Sequence, residues 1–114
     1  MSEVDASSEP AFHLLLEPGE VPVTASALRL LISGESHQPE IRGLAREVLA
    51  ELEADPDEFG TLSVALTPRQ LKITHTAVHL LLDDLQRGQA DERKVLHAIL
   101  GKLPDEHAIR AIEL

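Results

Sequence analysis

Apolar residues recur along this chain in two rhythms, and the change from one to the other marks out its elements. Phe12, Leu14 and Leu16 alternate with period two, as do Leu62, Val64 and Leu66, and finally Ile112 and Leu114. Such alternation places one side of a strand against a core. The opposite faces carry His13 and Leu15, then Thr61, Ser63 and Ala65, then Ile109, Ala111 and Glu113. Between the strands the spacing becomes helical. Ile41, Leu44, Ala45, Val48, Leu49 and Leu52 form one stripe, and Val95, Leu96, Ile99, Leu100 and Leu103 form another.

Punctuation supports these elements. Pro39 suits the first turn of a helix, where a missing N–H loses no partner, and Asp55-Pro56 ends that helix. Thr67-Pro68-Arg69-Gln70 has the form of a capping box, with Leu66 and Leu71 placed as a hydrophobic staple. The helix that follows is expected over 68–86, with Gly88 free to adopt a left-handed terminating conformation. In the first half of the chain the counterpart should start near Pro22 and end at Gly34. Pro104 stops the last long helix.

The two halves match. Shifting the sequence by fifty positions carries Leu16 onto Leu66, Pro18 onto Pro68, Thr24 onto Thr74 and Leu31 onto Leu81. After a one-residue slip Val48, Leu49 and Leu52 fall on Ile99, Leu100 and Leu103, and Pro56-Asp57-Glu58 later matches Pro104-Asp105-Glu106. The expected fold is therefore α+β: a β-α-α unit used twice and closed by a final strand, giving a small three-stranded sheet with four helices on one face, with a short helix over 105–114 as the alternative to that last strand. Residues 1–10 are polar and acidic and are expected to be a disordered tail. Residues 11–114 are expected to form one domain of two repeats, about 11–59 and 60–114.

Composition narrows the functional classes. Twenty acidic residues against ten basic ones leave a net charge of −10, with no run of Lys or Arg. That field repels phosphate backbones and anionic lipid, so neither nucleic acid nor membrane is an expected partner. No apolar stretch approaches a membrane span, and no basic and apolar leader is visible, so a cytoplasmic location is expected. Cysteine is absent, which excludes disulfides and thiolate chemistry. Phe12 and Phe59 are the only aromatic residues besides histidine, so stacking platforms for bases or planar cofactors are scarce. No cofactor is expected.

Candidate chemistry is thin. His75, His79 and Asp83 lie four apart along one helix, a stripe able to present metal ligands, with His97 as a further ligand if the last long helix comes near. The matching positions in the first half are Ala25 and Arg29, which is not what a shared metal site would leave. Asp55 to Gly60 resembles the start of a calcium loop, but Phe59 stands at an acidic position and Leu66 where the bidentate Glu belongs. Ser36-His37 lacks a nucleophile elbow, the glycines are too dispersed to cradle phosphate, and Asp83-Asp84 and Asp91-Glu92 are neighbours that point apart on a helix.

Apolar surplus says more. Ile73 and Leu80 widen the apolar arc of the 68–86 helix, and Val23 and Leu30 do the same in the first half. Leu15, Ser63 and Ala65 line the outer sheet face, and uncovered sheets tend to find partners. The expected function is a non-catalytic interaction or regulatory module, homodimeric or bound to another protein, with these seven residues as the candidate interface. The alternative is a small metal-binding protein or metal-dependent enzyme using His75, His79 and Asp83.

Overall fold

The computed structural model describes residues 12–34, 39–54, 57–85, 89–104 and 106–111. Its elements run β1 (Phe12–Leu16), α1 (Val21–Ser33), α2 (Pro39–Glu51), β2 (Leu62–Leu66), α3 (Pro68–Asp84), α4 (Ala90–Lys102) and α5 (Glu106–Arg110). The protein is thus mixed α+β, with five helices and a two-stranded sheet among the described residues.

The period-two segments become β1 and β2, which pair antiparallel with Phe12 opposite Leu66, Leu14 opposite Val64 and Leu16 opposite Leu62. Leu14, Leu16, Leu62, Val64 and Leu66 turn inward and are buried, as alternation requires. They join Leu28 and Leu31 of α1, Val48 of α2, Val78 of α3, and Leu96 and Ile99 of α4 in one core. Helix α1 lies against α3 and α2, and α4 reaches both α3 and β1. No helix of the described residues is long and apolar enough to cross a membrane.

The capping box is present in full. The Thr67 hydroxyl accepts from the Gln70 N–H (3.2 Å) and the Gln70 carboxamide oxygen accepts from the Thr67 N–H (3.0 Å). Thr67→Ala should therefore lower stability by about 1 kcal/mol in a urea titration, the usual worth of a side-chain cap. Helix α3 ends two residues earlier than expected, at Asp84, with Leu85 already extended. Gly88, Asp55-Pro56 and Ser36-His37 lie outside the described residues.

The expected closing strand is not what residues 106–110 form. They make α5, which packs on α3 and buries Ile109. Pro104 ends the preceding helix, and the run Glu-His-Ala-Ile-Arg contains one β-branched residue, so local preference favours a new helical turn. Ile112 and Leu114, the pair with strand rhythm, lie outside the described residues. Among the described residues the sheet has two strands where three were expected, and there are five helices where four were.

Several bonds recur at the fifty-residue shift. Glu17 N–H donates to the Glu20 carboxylate (2.8 Å), matching Thr67 N–H to Gln70. Buried Thr24 donates its hydroxyl to the Glu20 carbonyl and buried Thr74 to the Gln70 carbonyl, each at 2.9 Å. The strand register is centred on the Leu14–Val64 pair, two positions that the same shift superimposes. The second helix of each half reaches the cap of the other: Lys102 on α4 binds Glu20, and Gln70 donates to Glu47 on α2.

Candidate functional site

The outer face of the sheet becomes a site because of the loop that leads into β2. Asp57 organises this loop. Its Oδ1 accepts the N–H groups of Phe59 and Thr61, both at 2.9 Å, while its own N–H donates to the Thr61 carbonyl at 2.8 Å. The Gly60 N–H closes back on the Asp57 carbonyl (2.9 Å). Gly60 itself sits at φ 82°, a left-handed conformation that a side chain resists. Its Cα also approaches Pro18 so closely that an added Cβ would lie 2.8 Å from the proline Cγ.

This bracing holds Phe59 out into solvent, 80% exposed. Leu15, on the outer face of β1, is 54% exposed, and these two are the large apolar side chains that the described structure leaves open. They share a hollow of about 590 Å³ with His13 and Glu17 of β1 and its extension, Pro18, Thr61 and Lys102. On the other side of Pro18 lies a second hollow of about 310 Å³, walled by Val21, Pro22, Leu52, Ala54, Gly60 and Leu62. Pro18 is the ridge between them.

Lys102 fixes one wall of the larger hollow. Its ammonium donates to the Glu20 carboxylate (2.5 Å) and to the Leu15 carbonyl (2.9 Å), tying the end of α4 to β1. Glu20 is largely buried and accepts from Glu17 N–H as well. The lysine charge is therefore already matched inside the fold. Arg69 pairs with Glu40 across α2 and α3, with both side chains exposed.

The candidate metal stripe divides by depth. His75 is buried, His79 half-buried and Asp83 exposed, following the expected turn of α3 away from the core. The two imidazole rings lie 4.5 Å apart at a 55° tilt. His97 is exposed on α4. Among the described residues, no three His, Asp or Glu side chains are grouped to hold a metal ion.

The candidate interface residues also separate. Ile73 is 1% exposed and packed inside the chain, out of a partner's reach. Val23, Leu30 and Leu80 are half-buried and pack against the core. Leu15, Ser63 and Ala65 are exposed on the outer sheet face. Phe59 is the residue that sequence reasoning passed over. Asp57 to Gly60 marks a turn, and an aromatic side chain inside a tight Asp-to-Gly turn has few neighbours to cover it. That signal was available; weighing the segment only as a set of carboxylates hides it.

The fold and site thus define a mixed α+β chain with a braced apolar display on one sheet face. Comparison with family models, with curated proteins and with solved structures finds no match to it.

Proposed function

We propose that this chain is a non-catalytic protein-interaction module that docks a partner chain on the outer sheet face, around Leu15 and Phe59. One observation carries the reading: the two exposed large apolar side chains share a single hollow, and a four-bond loop fixes one of them in place. Burying a phenylalanine is worth about 1.5–3 kcal/mol, and aromatic anchors concentrate binding energy at interfaces. A folded chain that braces such a group in water retains that energy for association. The partner is a protein chain, a second copy being the simplest case; the charge of −10 keeps nucleic acid a poor one.

The same reading includes duplication of a β-α-α unit. It is supported by the paired hydrogen bonds of Glu17 and Thr67, those of Thr24 and Thr74, and a strand register centred on equivalent residues.

Native mass spectrometry of untagged protein, isolated gently from its own host, should show a second protein mass on the chain. Phe59→Ser should remove that mass while shifting stability by less than about 0.5 kcal/mol, as an exposed side chain allows. A partner retained by Phe59→Ser, or a bare chain in both preparations, defeats the proposal.

A further inference from the structure

The surroundings of the two hollows say what kind of chain fits them. Glu17 flanks the Pro18 ridge, Glu53 lies between the Leu52 and Ala54 walls, and Asp57 and Glu58 lead into Phe59. All four are exposed. Lys102, the lysine that lines a hollow, is engaged by Glu20 and by the Leu15 carbonyl. The smaller hollow is thus apolar, the larger sets Leu15, Pro18 and Phe59 beside His13, Glu17, Thr61 and Lys102, and four exposed carboxylates lie in or next to the segments that wall the two. An apolar hollow selects for an anchoring side chain, and carboxylates nearby select for positive charge beside it.

We propose that the paired hollows about Pro18 dock a basic protein segment, one that seats an apolar side chain beside Phe59 and sets Lys or Arg against these carboxylates. The proposal rests on the interaction reading above and makes it specific. It also turns the choice of partner away from a second copy. Two such faces brought together would oppose Glu17, Glu53, Asp57 and Glu58 with the same four carboxylates, in a chain whose net charge is −10. Like charges brought together at an interface work against association. The 310 Å³ hollow is large enough for an aliphatic or aromatic side chain and is walled almost wholly by apolar groups. A segment crossing the Pro18 ridge reaches both hollows at once.

The test uses the full chain labelled with ¹⁵N and a short peptide of alternating lysine and leucine as probe. Two controls accompany it, a glutamate–leucine and a lysine–serine peptide of equal length. The lysine–leucine peptide should move the amide resonances of Leu15, Leu52, Gly60 and Thr61, and both controls should bind about tenfold more weakly. Binding should also weaken severalfold as salt shortens the reach of the carboxylate charges. Glu53→Lys combined with Glu58→Lys, which alters exposed side chains, should lose the probe with its own spectrum otherwise intact. Resonance changes elsewhere on the molecule, or equal binding of the glutamate–leucine peptide, overturn the proposal. If no peptide binds but concentrating the chain alone moves these same resonances, the occupant is a second copy: this inference falls and the interaction reading stands. If neither peptide nor concentration perturbs this face, both fall.

Discussion

Leu28→Ala should destabilise the protein by about 2–5 kcal/mol, seen as a lower urea midpoint with little change in slope. Leu28 is 0% exposed on α1, the helix that meets α2, α3 and α4. Truncation there loses transfer energy and leaves a cavity among helices that cannot all close on it, since each is also pinned elsewhere. Domains of this size are stable by only about 5–15 kcal/mol, so the change takes a large share of the total. Leu15→Ala supplies the contrast. The same atoms are removed from a side chain already half in water, and the expected loss is below about 1 kcal/mol. Comparable losses at the two positions would mean that Leu15 is covered in the folded chain.

Gly60→Ala should cost about 2–4 kcal/mol, from two sources that add. A side chain at φ 82° carries roughly 1–2 kcal/mol of backbone penalty. The new Cβ would also meet Pro18 Cγ at 2.8 Å, and relieving that overlap means moving a ring in the ridge between the hollows. The variant should therefore lose partner binding as well as stability. Gly101→Ala is the counter-experiment. Gly101 lies within α4 and an added Cβ there meets nothing within 4 Å, so alanine should stabilise by about 0.5–1 kcal/mol. A thermal melt of both variants reads the opposite signs directly; a gain at Gly60 would show that the loop is not held as described.

How much of this was legible in the sequence depends on how local the cause is. The capping box at Thr67 and Gln70, the strands at Phe12–Leu16 and Leu62–Leu66, and the starts of α2 and α3 at proline all follow from neighbours in sequence, and the structure has them. After Pro104 the repeat points to a strand like β2, whereas Glu106–Arg110 is helical: it has no glycine and threonine like Gly60-Thr61 to favour extension, and Ile109 finds cover on α3 as a helical residue. The apolar excess at Ile73 resembles surface on one isolated helix, and packing with the neighbouring elements absorbs it. The site lay furthest from reach. Its hollows depend on Pro18 meeting Gly60 and on Lys102 reaching Glu20, contacts between residues more than forty and eighty positions apart. No periodicity encodes such meetings.

The pairing of β1 with β2 has a consequence for how the chain is made. Leu14 must wait for Val64, fifty residues later, before its strand has a partner. At a synthesis rate of about 5–20 residues per second, that is a delay of roughly 3–10 s. Throughout it β1 carries an apolar face with no sheet to join, and the fold cannot be assembled from the first half as it emerges. The nascent chain is therefore exposed to chaperones and to mispairing in a way the finished protein is not. Slowing translation between Leu16 and Leu62 should lower the yield of folded protein without altering its stability.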